Sequence, residues 1–594
     1  MSNIFRKIRE SVKLGIWDYI PAVNSIAGKI AFPVSLLSVA AIVRYHGFPQ
    51  TEQSESIYRF ATTFSLVFFS LKYCVLAFFN VHISRFVRQR WVEGLTVLCI
   101  LIWLVTVRCF RFDFLTYAVG RQNVENLGSI TFILIQFYFM CKLKVSDIAG
   151  NLFAKIRITP GGLMILSFLI LIAFGTLLLL TPEMTTHGIS LTDAIFTSTS
   201  ACCVTGLVSV DTATAFTSKG LFVIMLLIQM GGINIICFAS FLSGFYTGMS
   251  LRRQSVIREM LNTSLEGTRS LIRDIVIYSL LFELAGAVLI FIYLNITSLY
   301  SHSTDENLFL SIFHSISAFN NAGFSFLPDG MMNVLTVNSI YLQTVTIALI
   351  FTGGLGFLTI HDIFYVIRKK KRWTQMQPTS RIAVRMSLIL ILAGAVMFFI
   401  LEYNAICRDM PLLQRIYVAI FSSVTPRTAG FNTVDFGQIR TATLLLITVF
   451  MIIGASPGST GGGIKVTTFY LLIKTAVATI LGKQQVRVLN RAVSFDAVNK
   501  SYAALILAIA IVFAGTFLLS LTEPFELKRI LFEVASAFGT TGLSTGITGE
   551  LSTFAKSVII IIMYMGRITV LTFAFSLTRK VFTRYSLAKT DIGI

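Results

Sequence analysis

Four short motifs share a residue pattern: TSACCVTGL (199–207), ISAFNNAGF (316–324), SSVTPRTAGF (422–431) and ASAFGTTGLS (535–544). Each passes from small or hydroxyl-bearing residues to a glycine and then to Leu or Phe. The glycines, Gly206, Gly323, Gly430 and Gly542, are separated by 117, 107 and 112 residues, and so regular a period marks an internal repeat. Glycine permits backbone conformations that turn main-chain carbonyls towards a shared axis. A ring of such carbonyls can replace the water around a monovalent cation. None of the four motifs carries a carboxylate, which disfavours a charged ring for a divalent ion. The competing reading, helix-packing glycines of the GxxxG kind, leaves the short helices in front of the motifs unexplained.

The elements that must hold these motifs lie in a bilayer. The chain has 594 residues, 55% of them apolar and 13% charged, with a mean hydropathy of +0.78. Soluble domains run nearer about one-quarter charged. Apolar runs of about 20 residues, long enough to cross the hydrocarbon, recur along most of the chain. Each repeat reads as span, short helix, loop, span: 163–181, 190–203 and 220–243; 273–296, 308–320 and 339–365; 382–403, 413–426 and 441–477; 500–521, 528–540 and 555–577. The second member of each is too short to cross and reads as a re-entrant segment. The fold class is therefore an all-α polytopic membrane protein, with four helix–pore loop–helix repeats around one central pore. The divisions are 1–150 (an N-terminal membrane extension), 151–250, 251–370, 371–490 and 491–594.

A unit that dips and returns starts and ends on one side, so the linkers between repeats should share a side. They hold the basic clusters Arg252, Arg253 and Arg258; Arg368, Lys369, Lys370, Lys371 and Arg372; Lys483, Arg487 and Arg491; and Arg579, Lys580 and Arg584. That is the positive-inside pattern of cytoplasmic loops, and it accounts for the +21 net charge without nucleic acid. The eight cysteines form no CxxC pair and lie mostly in apolar runs, as buried thiols do. No convergent His, carboxylate or Ser/His pairs stand at catalytic spacing, so an enzyme is disfavoured.

One further stretch, GASPGSTGGGIK (454–465), breaks an apolar run with five glycines and a proline. A phosphate-binding loop would need GxxxxGK[ST] after a strand. Here Ile464 separates Gly463 from Lys465 and both flanks are apolar spans. Together with VTGL, NNAGF, RTAGF, TTGLSTG and MYMGRITVLTF, this stretch resembles the Trk/Ktr/HKT superfamily of potassium transport proteins, over roughly 155–580. The resemblance implies one chain folded as four pore repeats, in a homodimer with one pore per subunit. It further implies a bacterial inner-membrane location in contact with lipid, and a cytosolic nucleotide-binding regulatory ring (TrkA/KtrA-like). The cargo in the pore would be K⁺, with no organic cofactor. A Na⁺-permeable or Na⁺/H⁺-coupled monovalent cation transporter of the same fold is the alternative.

Carried onto this sequence, the resemblance places a filter at Val204, Thr205 and Gly206; Asn321, Ala322 and Gly323; Thr428, Ala429 and Gly430; and Thr540, Thr541 and Gly542. Glycine rather than serine at 206 favours potassium. The stretch with Gly454, Pro457, Gly458, Gly461, Gly462, Gly463 and Lys465 becomes a gating loop below the filter. Four glycines and a proline give it little helical stability; a merely kinked helix is the alternative. Arg567, central in its span, resembles the family's pore arginine, a cation barrier below the filter; its other reading is an ion pair with Glu283 or Glu533. Lys465 is either a second pore cation or a snorkelling lysine. Arg427 either braces the filter from behind or faces a solvated vestibule. His314 and His361 read as structural residues. In the extension, runs at 29–44, 57–80, 92–107 and 129–141 suggest three or four membrane segments. Arg85, Arg88, Arg108 and Arg111 form pairs at span edges, too short a ladder for voltage sensing.

Overall fold

The computed structural model describes residues 20–79, 160–233, 268–297, 304–327, 330–489 and 491–568, with isolated positions at 86, 94 and 97. In the extension, α1 (Ile20–Gly47) and α2 (Glu52–Phe79) form a hairpin, pinned at its tip by the stacked rings of Tyr45 and Tyr58, 4.3 Å apart. Its end lies against repeat 1, where a β-carbon on Gly47 would sit 2.8 Å from the Thr181 hydroxyl oxygen. The runs expected at 92–107 and 129–141 and the four arginines beside them fall outside the described residues, Gly94 and Val97 apart.

The four repeats follow in order. Repeat 1 holds α3 (Pro160–Leu179), α4 (Leu191–Cys203) and α5 (Ser218–Ile233). Repeat 2 holds α6 (Thr268–Thr297), α7 (Thr304–Phe319), α8 (Ile340–Leu355) and α9 (Phe357–Arg368). Repeat 3 holds α10 (Pro378–Glu402), α11 (Leu412–Val424), α12 (Thr441–Ile452) and α13 (Val466–Ile480). Repeat 4 holds α14 (Phe495–Thr522), α15 (Leu527–Gly539) and α16 (Thr553–Ile568). The first helix of every repeat is long and apolar enough to cross a membrane. The short helices α4, α7, α11 and α15 have 13, 16, 13 and 13 residues. At about 1.5 Å per residue they fall short of a roughly 30 Å hydrocarbon core.

One element departs from the reading of the sequence. The return span expected over 339–365 is broken: α8 and α9 meet at 98°. The break falls at Gly356, whose φ of +84° is barred to an ordinary helical residue.

Short helices are bound to long ones by a recurring bond. The Ser198 hydroxyl donates to the Ile172 carbonyl (2.8 Å), Ser315 to Glu283 (2.6 Å) and Ser423 to Ile391 (2.6 Å). Such side chains bind helix to helix where no water competes. In repeat 4 the corresponding residue is Val534, packed near Gly515 of α14.

Apart from a small cluster of Ala31, Val34 and Phe69 within the α1–α2 hairpin, the core among the described residues is divided four ways, and each part joins two repeats. Residues of repeat 1 pack with Phe313 and Phe324 of repeat 2, and repeat 2 packs with Phe421 and Phe431 of repeat 3. Repeat 3 packs with Phe532 and Leu543 of repeat 4, and repeat 4 packs with Phe196 and Leu207 of repeat 1. The circle closes. The Leu or Phe after each motif glycine is the residue handed to the preceding repeat, and Leu207, Phe324, Phe431 and Leu543 are all 1% exposed or less. Close packing of this kind, rather than escape from water, holds helices together in lipid.

Candidate functional site

Each short helix ends in the same backbone device. Val204, Asn321, Thr428 and Thr540 take left-handed conformations with φ between 49° and 69°, and the glycine two positions on does so again, at 69° to 91°. At the ends of α4 and α15 the left-handed residue caps the helix, its N–H donating to the carbonyls of Ala201 and Ser200, or Ala537 and Ser536. Hydroxyls then fix the loop. The Ser200 Oγ accepts from Gly206 N (3.0 Å) and the Ser536 Oγ from Gly542 N (3.1 Å). In the other two repeats the hydroxyl turns round and donates, Ser317 to the Phe324 carbonyl (2.8 Å) and Thr425 to the Phe431 carbonyl (2.5 Å).

The four loops meet. A β-carbon on Gly206 would sit 2.5 Å from the Ala322 carbonyl oxygen, one on Gly323 2.9 Å from that of Ala429, one on Gly430 2.4 Å from that of Thr541, and one on Gly542 2.3 Å from that of Thr205. Each glycine thus abuts the residue just before the next repeat's glycine, and the sequence of contacts closes on itself. Side chains at 204, 205, 321, 322, 428, 429, 540 and 541 are all fully buried. The Thr205 and Thr541 hydroxyl oxygens, among the described residues, have no partner within the protein. These eight loop positions carry no ionisable side chain, so the groups that the four loops bring together are neutral.

Residues 453–465 lie between α12 and α13, directly against this ring. The two ends of the segment pair, with Gly454 N donating to the Ile464 carbonyl (2.9 Å) and Ile464 N to that of Ile452 (3.1 Å). On one side the segment joins the break in repeat 2: Ser456 N donates to the Gly354 carbonyl (3.2 Å) and Phe357 N to the Gly458 carbonyl (3.1 Å). On the other it touches the ring, where Gly462 N donates to the Thr540 Oγ1 at 2.9 Å. Gly458 and Gly463 have φ of +69° and +67°, so the segment is an irregular loop and no kinked helix. Lys465 does not snorkel: its Nζ folds back to the Gly461 carbonyl at 2.7 Å.

Arg567 is buried and has no carboxylate partner among the described residues. Its guanidinium donates to the carbonyls of Gly231 (2.5 Å) and Gly232 (3.4 Å) and lies 5.8 Å from the Phe168 ring centre. Glu283 accepts instead from Gln229, Ser279 and Asn320, and Glu533 from Ser544, Thr548 and the Thr545 N–H. The ion-pair reading of Arg567 is thereby corrected: both carboxylates are saturated by neutral donors. Arg427 is 7% exposed and donates to the Ser387 hydroxyl (2.8 Å) and carbonyl (3.4 Å). It ties the third loop to α10. His314 bonds to the Thr346 hydroxyl at 3.0 Å and His361 lies 3.5 Å from Asp274, both between helices of repeat 2. Cys202, Cys203 and Cys407 are buried, whereas Cys74 is exposed on α2. The sequence signal for the loop-fixing hydroxyls is one of register: Ser200, Ser317 and Ser536 each precede their glycine by six residues.

Residues 163–582 match the family described as TrkH, cation transport protein. The chain is 36% identical over 428 residues to Ktr system potassium uptake protein B of Bacillus subtilis, an alignment spanning 71% of this chain and 94% of that one. It is 35% identical over 433 residues to potassium/sodium uptake protein NtpJ of Enterococcus hirae, across 71% and 94% of the two chains. Among solved structures, the potassium transporter TrkH from Vibrio parahaemolyticus matches with a TM-score of 0.60 at 20% identity, over 76% of this chain and 91% of that one. At that identity the likeness speaks for a shared fold.

Proposed function

The chain belongs to the TrkH cation transport protein family, and on that premise we propose that it takes up potassium through the ring centred on Gly206, Gly323, Gly430 and Gly542. The observation that carries this reading is the closed circuit of contacts, in which each glycine abuts the next repeat's carbonyl. An arriving K⁺ exchanges water for main-chain oxygens contributed by four loops of one polypeptide. Because no side chain of the ring carries charge, the ion is bound strongly enough to enter and weakly enough to leave. Glycine at all four positions supports potassium over sodium as the preferred cargo.

Below the ring, residues 454–465 act as a gate. The loop is held by a handful of backbone bonds and by few side chains, so displacing it costs little, and order–disorder switches are built from such segments. Arg567 supplies a fixed positive charge near the path, which shortens the dwell of a passing cation. The relatives are transport proteins by name, and the chain is a multi-pass membrane protein; it works as a homodimer in a bacterial inner membrane. A cytosolic nucleotide-binding ring (TrkA/KtrA-like) sets the gate, docking on exposed bases such as Arg368–Arg372 at the end of α9.

Potassium uptake by cells lacking other potassium systems tests the reading, together with ion flux into liposomes under imposed gradients. K⁺ entry should exceed Na⁺ entry. Equal entry of both ions, or none of either from a folded protein, overturns it.

A further inference from the structure

The loop at 454–465 is held to the ring by one side chain. Its own hydroxyls contribute nothing: the oxygens of Ser456, Ser459 and Thr460 are buried without a partner in the protein. Among the described residues, Lys465 bonds to Gly461, within the loop itself. Among the described residues, the hydrogen bond from a ring side chain to the loop is that of Thr540, whose Oγ1 accepts the Gly462 N–H at 2.9 Å. The fit there is tight. A β-carbon on Gly462 would lie 2.5 Å from that oxygen, 2.8 Å from the Thr540 methyl carbon and 3.0 Å from the Gly566 carbonyl oxygen. Gly461 lies as closely against Thr428, where a β-carbon would come within 2.1 Å of the hydroxyl oxygen.

Thr428 and Thr540 are also left-handed residues of the ring, with φ of 69° and 49°. Val204, the equivalent in repeat 1, has no hydroxyl, and Asn321 in repeat 2 donates its amide N–H groups to the carbonyls of Ala318 (3.0 Å) and Ile350 (3.2 Å), within its own repeat. The two ring threonines therefore stand in the loop's own repeat and in the next one, and one backbone N–H of the loop depends on the second of them. A buried N–H left without an acceptor is costly, so the loop rests where Thr540 can serve it.

We propose that Thr540 is a positioning residue for the gate: its backbone belongs to the ion-coordinating ring while its hydroxyl latches the loop beneath that ring in the closed position. Release of the loop and relaxation of the fourth filter segment are then one event, because both act on the same residue. The inference rests on the filter and gate reading above, and its test separates the two.

The full-length protein is reconstituted in liposomes without any cytosolic partner, and basal K⁺ flux is measured for Thr540→Val, Thr540→Ser and a chain with 458–463 replaced by alanine. Thr540→Val keeps the shape and removes the acceptor, and should raise flux about fivefold, the equivalent of about 1 kcal/mol for one neutral hydrogen bond. Thr540→Ser, which restores the hydroxyl, should open the pore much less than valine does. Equal flux in the valine and serine variants overturns the latch. If the alanine loop raises flux and valine does not, the gate stands and the latch falls; if neither does, both fall. Gly462→Ala provides a route that leaves Thr540 intact, since the added carbon pushes the loop off the same contact. Combined with Thr540→Val it should add little to the larger single effect, and full additivity would contradict a shared contact.

Discussion

Gly542 and Gly546 offer a matched pair for testing whether the ring selects ions. They lie four residues apart in repeat 4 and have nearly the same positive φ, +91° and +92°. Alanine at either site incurs the left-handed penalty of about 1–2 kcal/mol, so that term cancels between them. Surroundings do not cancel. A β-carbon at 546 meets nothing within 4 Å, whereas at 542 it would stand 2.3 Å from the Thr205 carbonyl oxygen and 3.0 Å from the Gly206 Cα. The first distance is more than 1 Å inside the optimal separation of about 3.5 Å. Relieving it must move the Thr205 carbonyl, one of the proposed coordinating oxygens. Overpacking of this sort costs about 1–3 kcal/mol. At about 1.4 kcal/mol per factor of ten, Gly542→Ala should lower K⁺ preference over Na⁺ by about 5- to 140-fold, with Gly546→Ala close to the parent protein. The assay is paired K⁺ and Na⁺ flux into liposomes. Were the two variants to shift preference equally, backbone strain alone would be at work and the ring would have no part in selection.

Replacing Arg567 by glutamine keeps an amide able to donate to the Gly231 carbonyl while removing the charge. Taken at about 10 Å from the ion and an effective dielectric constant of about 20, that charge is worth about 1.7 kcal/mol, so K⁺ flux should rise by about tenfold; unchanged or reduced flux would refute the barrier. Phe431→Ala removes a side chain that is 1% exposed in the packing between repeats 2 and 3. It should cost about 3–5 kcal/mol, read as a lowered midpoint of thermal unfolding in detergent. Lys556 and Asp193 join α16 of repeat 4 to α4 of repeat 1 at 2.9 Å, with side chains 13% and 17% exposed. Lys556→Ala should cost about 2 kcal/mol, between the ranges for exposed and buried pairs, and the double exchange D193K/K556D should recover most of the loss in the same melting experiment.

The order of the ring could not be read from spacing. A repeat period places four loops in one architecture, but the direction in which Gly206 faces Ala322, and Gly542 faces Thr205, follows from how separate helices pack. Closure between the last repeat and the first is likewise a tertiary matter, made by contacts of α16 such as that of the Tyr564 hydroxyl with the Ile165 carbonyl at 2.6 Å. The bend at Gly356 escaped for a different reason. Gly353, Gly354 and Gly356 interrupt neither the length nor the apolar character of 339–365, and those two properties carry a membrane span in a sequence.

By itself the sequence determined the membrane class, the four repeats, the short helices and the glycine loops, because these depend on local composition and on distance along the chain. Only the tertiary structure decided the partners of Arg567, Arg427 and Gly462. Arg567 bonds to main-chain carbonyls, and every residue offers a carbonyl, so no side-chain identity announces the choice. Gly462 donates a main-chain N–H to Thr540, 78 residues away, and that pairing exists only once repeats 3 and 4 have packed side by side.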